Sequence, residues 1–154
     1  MLDLIEGAKV VYGISATGFD TAAGQYADWI DMEALHCVWS VCSQEAGTSG
    51  LEVAGFAADD NAAGGVTRAA CQYWYTTGLD IDKFNASTQT TGYRLADGAG
   101  GVVLVRYDPA SQANSTMQFF SCHYSSGDSV LSIMYVGQPR YGGIGQILAT
   151  SSST

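Results

Sequence analysis

Charged residues are scarce in this sequence. They make up 14% of its 154 residues, whereas soluble domains typically carry about 25%. Hydrophobic residues reach 47%, and a chain of this length can bury roughly 70% of its unfolded surface in one core. We therefore expect one folded domain, with part of its surface covered by a partner.

Positive charge is the scarcest kind. Six Lys and Arg residues stand against fifteen Asp and Glu residues, which gives a net charge of -9, and the six cations are scattered along the chain. Such a chain repels the phosphates of nucleic acids, so we expect no nucleic-acid partner.

Long apolar runs and a secretion signal are also lacking. No apolar run approaches the roughly 18 residues of a membrane span. The opening MLDLIEGAKVVYG has neither the basic start nor the long apolar stretch of a signal peptide. We expect a protein that is made in the cytoplasm and has no membrane contact.

Metal-binding residues are few and poorly spaced. The cysteines form no C-x-x-C pair and have no His at zinc-ligand spacing; they are Cys37, Cys42, Cys71 and Cys122. Two acidic pairs, Asp59 with Asp60 and Asp80 with Asp82, lack the ligand spacing of a calcium loop. We expect no metal or cofactor site and four buried, reduced thiols. If a disulfide forms, Cys37 with Cys122 is our first choice.

A catalytic set is equally weak, because the sequence holds only two histidines, His36 and His123. Each is adjacent to a cysteine, but neighbouring strand residues point to opposite faces, so neither pair forms a dyad within its strand. Cys37 could meet His123 across strands. We expect no catalytic residues and a protein that is not an enzyme.

What the sequence does contain is a series of short apolar segments between turns of Gly, Ser, Asn and Asp. Segments rich in aromatic and β-branched residues are typical of strands. They are LEVAGFAA, VTRAACQYWYTT, YRL, VVLVRYDP, MQFFSCHYS and SVLSIMYVGQPRY. We predict that the first pairs as a hairpin with the strand before it and that the last two form another hairpin. About eight strands indicate an antiparallel β-sandwich or jelly roll.

The segment from Trp29 to Gln44 is predicted to be the central strand. Its apolar residues of one parity are Leu35, Cys37, Trp39 and Val41, which is the period of a strand with one buried face. We therefore predict that Trp39 lies in the core. The other parity includes Val38 and Cys42, which indicates contact with a second layer or another chain.

Residues 1–27 differ from the domain at 28–154. A short helical opening precedes a strand-like run, KVVYGIS, and a small, polar segment. An unpaired run of this kind is an exposed edge that a neighbour's sheet could cover. The segment is either an N-terminal arm that packs on a neighbour or an edge strand of its own domain.

Three stretches resemble the auxiliary head proteins of tailed bacteriophages. They are the opening MLDLIEGAKVVYGI, the acidic step into a strand in YADWIDMEALHCVWSV, and the final strand with its Gly-x-Pro-Arg signature in SVLSIMYVGQPRYGG. The resemblance implies a virion protein on the capsid surface that decorates or cements the lattice of the major capsid protein, as a homotrimer.

Two other functions are consistent with the same pattern. One is a tail, connector or fibre-associated phage component. The other is a carbohydrate-binding module, in which Trp29, Trp39, Trp74 and the tyrosines would stack on sugar rings. Their placement inside predicted strands favours core packing instead.

Overall fold

The chain is built from β-strands, which confirms the predicted all-β class. The computed structural model describes residues 9–45, 50, 52–60, 64–78, 82–96, 100–112, 117–140 and 150–151, without the side chains of 9–25, 126–131 and 150–151. Within these ranges, one 3₁₀ turn, Pro109–Ser111, accompanies the strands. None of the described helical structure is long and apolar enough to cross a membrane. The predicted helical opening lies outside the described residues.

Eleven strands are formed by the described residues. In chain order they are β1 (Lys9–Tyr26), β2 (Trp29–Asp31), β3 (Leu35–Gln44), β4 (Glu52–Ala58), β5 (Thr67–Arg68), β6 (Gln72–Tyr75), β7 (Asn85–Ala86), β8 (Tyr93–Arg94), β9 (Gly101–Tyr107), β10 (Phe119–Pro139) and β11 (Thr150–Ser151).

Strand β10 belongs to both layers of a sandwich. Its first part, Phe119 to Ser125, pairs with β4, and its second part, Leu131 to Pro139, pairs with β3. Along its opposite edge β10 pairs with β1 and then with β2. All of these pairings are antiparallel.

The two layers face each other across an aromatic core. The first layer contains the first part of β10, with β4, β5 and β8 on one side and β2 and β11 on the other. The second layer has the order second part of β10, β3, β9, β6, β7. Phe120 of the first layer stacks on Tyr107 of the second, with ring centroids 4.5 Å apart. Phe120 also meets the edge of Tyr135, from the second part of its own strand.

Two tyrosine hydroxyls of the second layer reach the backbone of the first. Gly55 donates its N–H to the Tyr73 hydroxyl at 3.0 Å, and Cys122 donates its N–H to the Tyr135 hydroxyl at 3.2 Å. Each hydroxyl satisfies a buried donor. Glycine is needed at position 55, because a Cβ there would lie 2.4 Å from Cys71 Sγ.

The predicted hairpins are wrong. MQFFSCHYS and SVLSIMYVGQPRY are parts of the single strand β10, because β1 pairs with both parts and the chain passes from one layer to the other without turning back. LEVAGFAA contains β4, which pairs with β10 and not with β3. VTRAACQYWYTT contains two strands in different layers, β5 and β6.

The predicted core position of Trp39 is also wrong. Trp39 and Val41 point outward and are half-buried, whereas Val38, Ser40 and Cys42 point into the core. Trp39 points outward because large side chains on the neighbouring strands already fill the core beside β3. Ser40 lies directly opposite Tyr135 in the ladder, so the core-facing side of β3 has room only for small side chains.

Residues 9–26 form a strand of their own chain's sandwich. Strand β1 pairs with β10 from Lys9, opposite Gly137, to Tyr26, opposite His123. In the described residues β1 therefore occupies an edge, the second of the two alternatives predicted for this segment. A division of the chain at residue 28 stays a prediction.

The four cysteines are buried free thiols, as predicted. Cys42 and Cys122 meet in the core, where their mutual hydrogen bond and burial raise the pKa of Cys42 well above its usual range. Cys37 Sγ instead donates to Gln138 Oε1 at 3.3 Å. The structure therefore does not place Cys37 beside Cys122, and a bridge between them would require the strands to move.

Candidate functional site

The outward side of the second layer is apolar. Water-facing sides of antiparallel sheets are normally polar, but here half-buried apolar side chains cover the middle of the sheet. We call this surface the outer face; its members are Trp39, Val41, Ser43, Gln72, Trp74, Val102, Leu104, Arg106, Ser132, Met134 and Val136.

Strand register arranges the outer face in three rows. The first row is Gln72, Arg106, Trp39 and Val136; the second is Trp74, Leu104, Val41 and Met134; the third is Val102, Ser43 and Ser132. Trp39 and Trp74 pack between the first two rows, with ring centroids 5.1 Å apart. In the third row the hydroxyls of Ser43 and Ser132 hydrogen-bond at 2.9 Å. The result is an apolar centre bordered by polar groups.

Arg106 is held in place on this face. Its guanidinium lies 5.9 Å from the Trp39 ring centroid and donates to Gln72 Oε1 at 3.0 Å. Asp108 Oδ2 lies 3.7 Å from Arg106 Nη2, while Asp108 Oδ1 accepts from the backbone of Ala110 at 3.0 Å. The cation is therefore neutralised at the border of the face.

An open cleft of about 210 Å³ lies beside this border. It is lined by Ala70, Cys71, Gln72, Thr90, Arg106, Asp108 and Ser111. Burial raises the pKa of the Cys71 thiol well above its usual range, so the thiol stays protonated. Asp108 is engaged by Arg106 and Ala110. The described lining therefore contains no poised nucleophile or base.

A second aromatic surface lies on the outward side of the first layer. We call it the Tyr26 cluster; it consists of Tyr26, Phe56, Arg68 and His123. The Tyr26 ring lies 5.0 Å from that of His123 and 5.3 Å from that of Phe56, and the Arg68 guanidinium lies 5.3 Å from the Phe56 centroid. Tyr26 is 37% exposed. The two surfaces thus lie on opposite sides of one sandwich.

Electrostatics in the Tyr26 cluster disfavour a charged histidine. Burial, and then the positive charge of Arg68, lower the pKa of His123 below its ordinary value of 6.5, while Glu52 opposes them. Arg68 is oriented by its own donation to the carbonyl of Thr91 at 3.1 Å. His123 is therefore neutral at neutral pH and packs as an aromatic ring.

The other residues considered for chemistry are dispersed. His123 packs in the Tyr26 cluster and Cys37 bonds Gln138, so the structure does not bring them together. His36 is exposed. Asp60 accepts from the backbone of Gly64 at 2.7 Å in a turn, and Asp80 lies outside the described residues. Within the described ranges, no group of three His, Cys, Asp or Glu residues could hold a metal ion.

Trp29 packs in the core, as its place inside a predicted strand indicates, and it is not available to stack on a sugar. Trp29 is only 1% exposed and lies under Tyr26. Sequence reasoning also missed the two arginines that cover aromatic rings. Arg68 meets Phe56, and Arg106 meets Trp39, only across strands. In the sequence, the feature that could have indicated these contacts is a single Arg within an otherwise apolar strand segment.

No protein-family model matches this sequence, and no curated protein matches it. Among solved structures, the chain is similar to the crystal structure of YomS, a protein derived from the SPBc2 prophage. The two are 11% identical with a TM-score of 0.46, and the alignment covers 84% of this chain and 91% of YomS. This is a weak structural likeness to a phage-derived protein, and it assigns no activity.

Proposed function

We propose that this chain is a structural protein of a phage virion, which decorates or cements the capsid built by the major capsid protein. The observation that carries the proposal is the pair of aromatic contact surfaces on opposite sides of one sandwich. A protein that cements a lattice has to touch more than one neighbour at once. The outer face and the Tyr26 cluster supply two such surfaces on a rigid body.

The position of the resembling stretches supports this proposal. The strand from YADWIDMEALHCVWSV and the strand that ends in the Gly-x-Pro-Arg signature are neighbours, β3 and β10. Pro139 pairs with Leu35, and Arg140 Nε donates to the Leu35 carbonyl at 2.6 Å. The signature arginine thus fastens the end of β10 to the start of β3. Two separate sequence resemblances correspond to one structural unit.

We assign the capsid contact to the Tyr26 cluster. Tyr and Arg are among the residue types that dominate binding energy at protein interfaces. The cluster presents both, and its tyrosine is exposed. Its neutral histidine adds no charge to the surface at neutral pH.

Counting copies in purified particles tests the proposal. Quantitative mass spectrometry should find the chain in a fixed ratio to the major capsid protein, on filled and emptied heads alike. A few copies per particle would contradict decoration and point to a tail, connector or fibre component. Absence from the particle would contradict a virion role altogether.

A binding assay with matched variants tests the contact. Heads that lack the chain should bind the parent protein, whereas Tyr26→Ser should bind about tenfold more weakly or worse. Phe84→Ser is the control, because Phe84 is 38% exposed and lies outside both surfaces. Equal binding by the two variants would refute the assignment to the Tyr26 cluster.

A further inference from the structure

We infer that the outer face binds the outer face of a second copy of this chain, so that the protein pairs back to back through the β6–β9–β3–β10 sheet. This inference goes beyond a role on the capsid and does not depend on it, and it replaces the homotrimer implied by the sequence resemblance with a two-fold dimer. It rests on the composition, charge, size and symmetry of the outer face.

The composition of the outer face is that of a protein interface. Interface centres are enriched in Trp, Met and Arg, depleted in other charged residues and surrounded by a polar rim. Trp39, Trp74 and Met134 lie in the apolar rows, and Arg106 lies at their border. Gln72 and the bonded pair Ser43 and Ser132 supply polar groups at the rim.

Charge favours a second copy as the occupant. The chain carries a net charge of -9, so two molecules repel each other at long range and can associate only through a surface that adds no contacts between like charges. Among the described side chains in the three rows, Arg106 is the one that is charged, and Asp108 lies 3.7 Å from it. A basic partner would gain nothing from this face, since it offers no unpaired carboxylate among its described residues. A copy of the same face meets no like charge.

The size of the outer face also fits. Four strands about 4.8 Å apart, with three alternate residues about 6.8 Å apart along each, span an area of about 400 Å². A standard interface buries about 800 Å² on each partner. The three rows therefore match the size of the central part of such an interface.

Symmetry sets the number of copies. When one surface binds the same surface on another molecule, the contact is two-fold and closes as a dimer. The centre of the three rows lies at the opposed pair Val41 and Leu104. The two-fold axis passes near this pair, so each residue approaches its own counterpart.

Light scattering during size exclusion tests the pairing on the full chain without capsids. The parent should be a dimer that dissociates in the micromolar range, and Leu104→Lys should raise the dissociation constant about tenfold or more. Thr67→Lys is the control, because Thr67 is exposed on the other layer and carries the same added charge. A monomeric parent, a trimer, or a dimer that Leu104→Lys leaves intact would overturn the inference.

Two further variants distinguish a weakened dimer from a misfolded chain. Met134→Gln makes a milder change on the same face and should also weaken the dimer. Val41→Cys should crosslink to its own copy with a short bismaleimide, since the four native thiols are buried. A folded Val41→Cys chain that stays uncrosslinked at concentrations where the parent is dimeric would refute the two-fold geometry. Binding to heads is measured in a separate assay. A failed dimer test therefore does not refute the proposed capsid role, and a failed head-binding test does not refute the dimer.

Discussion

Two buried tyrosines of the second layer differ in what their hydroxyls contact. The Tyr135 hydroxyl accepts from the backbone N–H of Cys122, whereas the Tyr107 hydroxyl has no hydrogen-bond partner among the described residues. Removing a partner from a buried donor costs about 1 to 3 kcal/mol. Tyr135→Phe should therefore lower the free energy of unfolding by that amount, as measured by urea denaturation.

Tyr107→Phe is the matched control. It removes the same atom from the same core without taking a bond from the described residues, so we expect no loss of stability or a small gain. Equal destabilisation by both substitutions would mean that the hydroxyl of Tyr135 contributes no more than its packing.

His123 should make the protein less stable in mild acid. Its folded-state pKa lies below 6.5 because of burial and Arg68, so the unfolded chain binds the proton more readily. Stability from this group is fully present above pH 6.5 and is lost as the pH falls toward the folded-state pKa. The free energy of unfolding should therefore fall as the pH drops below 6.5.

His123→Gln isolates this effect, because it removes the titrating ring and leaves the nearby charges, Arg68 and Glu52. Urea midpoints of the parent and the variant should converge as the pH falls, or the variant should become the more stable. Parallel curves would show that His123 does not have the lowered pKa.

Residue roles were harder to predict from sequence than residue types. The segment Trp29 to Gln44, predicted as one central strand, forms two strands, β2 and β3. Side chains alternate along most of β3, but Trp39 and Val41 belong to the outer face and Ser40 to the core. The preference for burying large apolar residues failed because Tyr135 and Tyr107 fill the core from neighbouring strands. The size of the side chain that faces a residue from another strand cannot be read from the sequence of one segment.

At the level of elements, β1 is a structural strand and its removal should abolish the fold. It pairs along β10 in both layers, and its loss would expose a long edge of backbone donors and acceptors. We expect a chain lacking residues 1–26 to show no cooperative thermal transition in circular dichroism.

A peptide of residues 9–26 supplies the control for that deletion. Added in excess, it should restore the β-spectrum if strand pairing is what the deletion removes. A truncated chain that folds by itself would instead support the N-terminal arm.

The strand predicted at VVLVRYDP is confirmed. It contains β9, which lies between β3 and β6, and a continuous apolar run of this kind is typical of an interior strand. The Ser-Gly-Asp sequence within β10 has the composition of a turn, yet the strand continues through it beside β1. Local composition indicates which structures a segment can adopt, and pairing with a neighbouring strand determines which of them forms.

For the whole molecule, we expect one unfolding transition. Both layers contain β10, and the Tyr73 and Tyr135 hydroxyls join them, so neither layer can open without breaking bonds in the other. Two-state behaviour follows for a domain of this size.

The three tryptophans report on the two layers separately. Trp39→Phe with Trp74→Phe leaves Trp29 in the first layer, and Trp29→Phe leaves the other two in the second. In each variant, the fluorescence midpoint in urea should coincide with the circular dichroism midpoint. Separate midpoints in either variant would mean that the layers unfold independently.

The continuity of β10 also determines how the molecule carries a mechanical load. In a sandwich joined only by side-chain packing, a sideways pull on one sheet is resisted by weak contacts that can slip. Here the covalent backbone from Phe119 to Pro139 runs from one sheet into the other. A pull on the Tyr26 cluster therefore reaches the outer face along β10 and along β1, which pairs with β10 in both layers, and the sandwich shears only if both strands are drawn out of the sheets.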